Sequence, residues 1–453
     1  MDIIAAISTA QTATAIGIVR VSGDGCFSLC DKVFRAVNGK SFTQQTGRKM
    51  VFGEMLDDHG RTIDRGLAVC FPGPNTYTGE DIVEFNCHGS PVVLRELLGA
   101  LFAAGARQAT AGEFTRRAFL NGKLDLTEAE AVIDLIDAET PAAARNAAAQ
   151  LDGALRRLLT PVQESLLEIT SRFYAVVDYP DEDIEDIGPE EISASLADAA
   201  ACLTRLLGTA QRGKILKSGV RTAIVGRPNA GKSSLLNALA GYERAIVTDI
   251  PGTTRDTVEE SVLCGGVRLR LIDTAGIRET EDAVEKLGVE RSLRAMESAQ
   301  LVLAVVDGSH PFTEEDHAVL AAAAKAPNWV LVLSKKDLSP ACYSGDLIPN
   351  AVISLSSMTG EGLEELENAV AALFPAGNHA DAGTLLTDAR QEDAVRRAAE
   401  AVRRAQEALD SGFTPDAILT DAEEALEALG ELTGRTAKEE IVGRIFSRFC
   451  VGK

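Results

Sequence analysis

Short apolar runs separated by turn residues dominate the first stretch of the chain. Ile16-Gly17-Ile18-Val19-Arg20-Val21 and Gly66-Leu67-Ala68-Val69-Cys70-Phe71 read as strands. Pro72-Gly73-Pro74-Asn75 reads as a loop, and Pro91 to Ala104 as a helix opened by proline in its first turn. This mixture predicts a small α+β domain over residues 1–120. From Thr127 the apolar period becomes helical. Thr127 and Glu130 are spaced as a capping box, and Ala- and Leu-rich turns run on to Tyr174. The stretch Asp178 to Glu191 is acidic and holds two prolines; a cation site is one reading and a solvated connector the plainer one. A further helix is expected from Pro189 to Lys217. Apolar strands at 222–225, 268–272, 301–306, 330–333 and 351–355 then alternate with helical stretches, the pattern of a parallel sheet covered by helices on both faces. That region closes near Pro375, Asn378 to Gly383 reads as a polar linker, and helices resume over 387–411 and 416–449. There is no internal repeat.

The economical architecture is multidomain: an α+β N-terminal domain (1–120), an all-α domain split in sequence (121–217 and 377–453), and an α/β domain (218–376) inserted into it. At 453 residues the chain is too long for one core. No apolar run reaches the roughly 18 residues of a membrane span, and the N-terminus has no secretory pattern. The eight cysteines are scattered, with no C-x-x-C pair, so reduced thiols and a cytoplasmic location are expected. The net charge of −22 argues against holding nucleic acid by the bulk field. One basic stretch stands apart, Gly434 to Lys453, with Arg435, Lys438, Arg444, Arg448 and Lys453. Its plainer reading is a helix end whose cations suit the dipole.

Gly226 to Ser234 read G-R-P-N-A-G-K-S-S, which fits the phosphate-loop pattern and lies between an apolar strand and a helix. Backbone N–H groups of Asn229, Ala230, Gly231, Lys232, Ser233 and Ser234 can cradle phosphate oxygens at a helix N-terminus. Lys232 can reach the terminal phosphates and Ser233 can ligate Mg²⁺. Further elements follow in the order of a guanine-nucleotide switch protein. Thr248-Asp249-Ile250-Pro251-Gly252-Thr253-Thr254 offers oxygens and a threonine hydroxyl for Mg²⁺. Asp273-Thr274-Ala275-Gly276 can meet Mg²⁺ through water and the γ-phosphate. In Ser334-Lys335-Lys336-Asp337 the aspartate can accept both N–H groups on the guanine edge. Ser356-Ser357-Met358 resembles the last base-contacting loop.

Two positions depart from the common pattern: Ser334 replaces the usual Asn and Met358 the usual Lys, which should loosen contacts around the base. The position where many switch GTPases carry a water-orienting Gln is Ile277. Glu285 can orient water instead, directly or through a second water, although an exposed helix glutamate would look the same. Arg255 is a possible arginine finger, but it adjoins the Mg²⁺ threonine, and such residues often face outward. A monovalent cation between the phosphates can supply that charge, with Asn229 and carbonyls of the 248–253 loop as ligands.

Together with Gly17 to Gly23, Tyr77-Thr78-Gly79-Glu80-Asp81, Gly112 to Leu126 and the terminal Phe449-Cys450-Val451-Gly452-Lys453, these motifs resemble one family over essentially the whole chain: the bacterial and organellar tRNA modification GTPases of the MnmE (TrmE) type. The resemblance implies an N-terminal domain that dimerises and binds a tetrahydrofolate one-carbon donor (5-formyl- or 5,10-methylene-tetrahydrofolate), with Arg20, Glu80, Lys123 and Lys453 at the matching positions. It implies GTP as substrate, Mg²⁺ at Ser233 and Thr254, K⁺ at Asn229, Thr248, Ile250 and Thr253, and Glu285 as the catalytic glutamate. It further implies a heterotetramer with the FAD-binding protein MnmG (GidA) that modifies C5 of wobble uridine, adding an aminomethyl or carboxymethylaminomethyl group, with tRNA held largely by that partner. The Gly/Pro-rich turn usual near the family's N-terminus is Gln11-Thr12-Ala13-Thr14 here.

Three other readings compete. A ribosome-assembly GTPase shares the phosphate loop and D-T-A-G but usually carries a basic RNA-binding domain. A non-catalytic dimeric scaffold would hold GTP without hydrolysing it. A folate enzyme would act without the GTPase. Cys450, close to Arg448 and Lys453, invites a nucleophile reading; a tail residue beside the folate pocket is the plainer account.

Overall fold

The structure, a computed structural model, describes residues 2–178, 188–242, 261–272, 296–338, 343–375, 382–413 and 415–453. The chain forms two compact units, one of residues 1–133, 151–196 and 400–453, the other of residues 134–150 and 197–399.

The first unit is built on strands β1 (Ile4–Ile7), β2 (Thr14–Ser22), β3 (Phe34–Ala36), β4 (Val51–Leu56), β5 (Thr62–Phe71), β6 (Ile82–Gly89) and β7 (Arg107–Gln108), in the order β3-β4-β5-β6-β2-β1-β7. All pairs are antiparallel except β1 with β7. Alternation decides the faces. Val19, Val21, Val83 and Phe85 point into a core closed by the helix Pro91–Ala104 through Leu94, Leu97 and Leu101. That helix has the limits its proline start predicts, and Gly105 ends it in the left-handed region at φ 118°. The helical part of this unit packs Pro415–Thr433 against Ala154–Asp178.

Several helix limits differ from expectation. The capping box is Asp125 with Glu128, not Thr127 with Glu130: Glu128 N–H donates to Asp125 Oδ1 (2.8 Å) and Asp125 N–H to Glu128 Oε2 (2.9 Å). Both pairs fit the spacing. Leu126 is already helical, and only Asp125 stands outside the first turn. The single helix expected over 416–449 is two, Pro415–Thr433 and Glu439–Phe446. Gly434 sits between them at φ 93°, and a Cβ there would come within 2.7 Å of Leu126 and Phe119. The helix expected over Pro189–Lys217 also divides, into Pro189–Leu207 and Ala210–Ser218. At the break Thr209 Oγ1 lies 2.6 Å from Leu206 O and accepts from the Leu386 N–H at 3.2 Å.

The second unit carries β8 (Val220–Val225), β9 (Ser261–Cys264), β10 (Val267–Leu271), β11 (Leu301–Asp307), β12 (Trp329–Ser334) and β13 (Ala351–Ser354), ordered β13-β12-β11-β8-β10-β9. Five strands are parallel, as expected. The sixth, β9, pairs antiparallel with β10, so the sheet is mixed. The near-continuous burial of β11 and β12 is what a sheet covered on both faces requires. One face packs on Leu235, Leu239, Leu366 and Val370, the other on Met296, Leu320 and Ala323. In its helical part Lys217 Nζ lies 2.8 Å from the half-buried Asp134, which also accepts from Thr387 Oγ1 at 2.7 Å.

The seven described cysteines are free thiols. Among the described residues no helix is long and apolar enough to cross a membrane, and no cluster of His, Cys, Asp and Glu is arranged to hold a metal ion.

The first unit contains an ionic cluster around a buried arginine. Arg117, its side chain 5% exposed, faces Asp2 (2.7 Å), Glu80 (3.1 Å) and Glu113 (3.1 Å), and Arg107 also reaches Glu113 (2.5 Å). Burial alone would raise the Glu113 carboxyl; Arg107, the Thr110 N–H and Arg117 outweigh it and bring it to about 2. A depressed carboxylate adds stability that is complete above its unfolded value, about 4.5, and is lost as pH falls through about 2. A shift of that size corresponds to about 3 kcal/mol. Glu113→Gln should therefore lower stability at neutral pH and flatten the acid limb between about pH 4.5 and 2. Circular-dichroism melts across that range read both effects.

Candidate functional site

The phosphate loop is positioned by β8, whose residues from Thr222 to Val225 are buried. At Gly226 the backbone passes so close to β11 that a Cβ would lie 2.3 Å from Val305 O. Only glycine fits there. Asn229 then adopts the left-handed region, φ 63°, and Gly231 follows at φ 99°. These turns curl the chain back into the helix Lys232–Tyr242, leaving Asn229, Ser233 and Ser234 exposed and Ala230 buried. Lys232 Nζ donates to Gly226 O (2.7 Å) and Arg227 O (2.9 Å). Its ammonium thus lies inside the loop's own curl, and burial pulls its pKa below the usual lysine value. An anion entering the loop would compete with those two carbonyls and relieve that cost.

The base-side loop starts where β12 ends. Ser334 is buried, and its Oγ lies 2.6 Å from Ala230 O and 3.1 Å from Val306 O. The serine therefore ties the base side directly to the phosphate loop. Lys335 is left-handed, φ 59°, and its Nζ pairs with Asp307 Oδ2 at 2.7 Å. Burial alone would raise Asp307; Lys335 and Ser309 outweigh it and bring it to about 2. Lys336 N–H reaches Leu355 O (3.2 Å), and its ammonium pairs with Glu361 (2.7 Å). Asp337 is exposed, and its Oδ1 accepts from Ser356 Oγ at 2.6 Å. Ser356 is itself buried and held by Glu361 O through its N–H (2.9 Å). Gly362 makes that turn possible, since a Cβ there would meet Ser354 O at 2.3 Å. Ser357 lies beside this contact, and Met358 is 90% exposed.

The structure thus brings residues 226–234, 334–337 and 356–358 to the C-terminal end of the parallel strands, the usual ligand-binding edge of such sheets. Thr248, Asp249, Ile250, Pro251, Gly252, Thr253, Thr254, Asp273, Thr274, Ala275, Gly276 and Glu285 lie outside the described residues, as do Arg255 and Ile277.

In the first unit, three of the four residues matched to folate contacts meet around the loop after β5. Arg20, on β2, pairs with Glu84 (2.8 Å), and its guanidinium carbon lies 5.7 Å from the ring centroids of both Tyr77 and Phe114. Glu80 accepts from Ser22 Oγ (2.8 Å) and Arg117 (3.1 Å). Lys123 runs beside Gly79, where an added Cβ would lie 3.3 Å from Lys123 Cε. The tail that carries Lys453 docks beside β1: Val451 bridges Ala111, and Ser8 Oγ donates to Gly452 O (3.1 Å). Cys450 is exposed. Sequence reasoning missed Asp307, Asp316 and Arg117, whose partners are distant in the chain. Only Asp307 carried a local signal, a charge closing the apolar strand β11.

The sheet, its phosphate loop and the base-side loop define the class: an α/β P-loop domain that follows an α+β region in sequence and interrupts a run of helices. Family models agree with that layout. The MnmE helical domain matches residues 126–450, and the N-terminus of the GTP-binding protein TrmE matches residues 3–123. The tRNA modification GTPase MnmE of Heliobacterium modesticaldum is 44% identical over 100% of this chain and 99% of its own length. Those of Symbiobacterium thermophilum (44%) and Streptococcus sanguinis (42%) cover the same shares. Among solved structures, the bacterial selenocysteine-specific elongation factor EF-Sec aligns over 35% of this chain and 29% of its own, at 16% identity and a TM-score of 0.25, too low to bear on the fold. The chain belongs to the MnmE family of tRNA modification GTPases.

Proposed function

We propose that this chain is a potassium-activated GTPase that modifies C5 of wobble uridine in tRNA, together with an FAD-binding MnmG-type partner and a tetrahydrofolate one-carbon donor. The observation that carries the GTPase part is the phosphate loop with Lys232 held by the loop's own carbonyls, together with the Ser356–Asp337 bond on the base side. Family membership supports the tRNA reaction, and with it a cytoplasmic setting.

The two described candidates, Ser233 and Asn229, carry oxygen donors of the kind these ions take. Ser233, second in the helix after the loop, would ligate Mg²⁺ with Thr254. Asn229 is exposed at the apex of the loop, where its side-chain oxygen can serve K⁺ with Thr248, Ile250 and Thr253. Such cations supply positive charge where negative charge builds on the phosphates. Glu285 would orient the attacking water. Asp337 would read guanine through its free acceptor sites, while Ser356 fixes its rotamer.

The residues of the first unit also fit a flat anionic ligand. Arg20 and Lys123 supply cations, Tyr77 and Phe114 lie against Arg20, and Glu80 keeps acceptor capacity beyond its bonds from Ser22 and Arg117. On the outer face of the sheet, Ile16 (61%), Phe52 (51%) and Leu67 (38%) are exposed, which supports a homodimer through this domain. The net charge of −22 supports a division of labour in which the MnmG-type partner holds most of the tRNA.

The test is phosphate release from GTP in potassium and in sodium, for the wild-type chain and Glu285→Ala. Potassium should speed hydrolysis by at least ~10-fold, and the variant should lose that gain while still binding nucleotide. Equal rates in the two salts would remove the potassium mechanism. Mass spectrometry of wobble uridines from cells lacking the chain checks the tRNA reaction.

A further inference from the structure

The carboxylate of Asp316 does more than its place in a helix start requires. It is 1% exposed, third in the helix Glu314–Ala323. One oxygen, Oδ2, completes a capping box with Thr313, accepting from its N–H (2.9 Å) and its hydroxyl (2.7 Å). A neutral Asn would serve for that. The other oxygen, Oδ1, lies 3.2 Å from Arg227 Nε, an ion pair whose two atoms are not aligned as a hydrogen bond. Burying a full negative charge is costly without a cation, and Arg227 is the cation provided.

Arg227 is the second residue of the phosphate loop. Its carbonyl accepts from Lys232 Nζ (2.9 Å) and from the Ala230 N–H (3.3 Å). The peptide that sets the curl of the loop is therefore the one whose side chain is anchored to the helix. That helix is in turn fixed to the sheet through Leu320 and Ala323. We infer that Asp316 is a positioning residue for the phosphate loop: through Arg227 it holds the loop in the shape that receives the phosphates. A loop shaped in advance loses less freedom on binding, so the gain appears as nucleotide affinity. This inference rests on the nucleotide-site reading above.

The experiment measures binding of a fluorescent GDP analogue, with thermal melts, for the full chain and for Arg227→Met, Asp316→Asn, the double variant and Thr313→Ala. Each of the first two should weaken nucleotide roughly tenfold, and the double variant no more than either, because one linkage is cut twice. The double variant also removes both charges, so it keeps the test open if a single variant folds poorly. Thr313→Ala removes only the cap, and should lower the melting temperature while leaving affinity intact. Unchanged affinity in Arg227→Met and Asp316→Asn, or losses that multiply in the double variant, would overturn the inference alone. A wild-type chain that bound no guanine nucleotide would overturn the site reading and the inference with it.

Discussion

Lys232→Met should reduce GTP affinity by at least ~100-fold and bring phosphate release to background. In the structure the ammonium is held by Gly226 O and Arg227 O, at 2.7 and 2.9 Å. Those neutral acceptors balance it poorly, as its lowered pKa reflects. Phosphate oxygens would replace them with charge-assisted bonds worth about 1.5–3 kcal/mol each, and two such bonds account for a factor of ~10² to 10⁴. Methionine keeps much of the apolar stem and leaves the two carbonyls at a loop surface, so the fold should be retained. Titration with a fluorescent guanine nucleotide and a melt of the same sample separate the two effects. Near-normal affinity in a folded Lys232→Met chain would remove the phosphate loop from the site.

What the sequence made legible divides by range. Elements set by local chemistry were readable: the helix Pro91–Ala104 follows from its proline start, and β11 and β12 from uninterrupted apolar runs. Limits decided by a single competing residue were not. Asp125 and Thr127 both match a cap, and only the position of Leu126 in the first turn selects between them. The strand β9 went unread because it is four residues long at a sheet edge. Its signal was the Gly265-Gly266 pair, both with positive φ (59° and 74°), which turns the chain into β10. Contacts between distant segments had no local signature. The sequence marked Ser334 as a departure, and nothing nearby indicated that its hydroxyl would reach Ala230 across the site. Asp316 likewise read as part of an ordinary helix start, although its second oxygen meets the phosphate loop.

Asp337→Asn should turn the site away from GTP and toward xanthosine triphosphate. Guanine presents an N1–H and an exocyclic amine to a carboxylate; xanthine keeps a ring N–H and has a carbonyl where that amine stood. In the structure Oδ1 of Asp337 is occupied by the Ser356 hydroxyl at 2.6 Å, and Ser356 is buried and held through its own backbone. That bond selects a rotamer for the replacement. Asparagine keeps its oxygen toward Ser356, because the hydroxyl donates there, and so turns its NH₂ toward the base. Two donors then face the guanine amine, while one of them meets the xanthine carbonyl. Sites that read a base by hydrogen bonding reject the mismatched partner by up to 10⁴–10⁵. Asp337 is exposed, which permits water to repair part of the mismatch, so a loss of about 10³ for GTP is expected. Ser356→Ala in the same background should blunt the switch, since the asparagine amide is then free to flip. Competition between GTP and xanthosine triphosphate for one fluorescent nucleotide reads the preference. An Asp337→Asn chain that still favours GTP would show that guanine is recognised elsewhere.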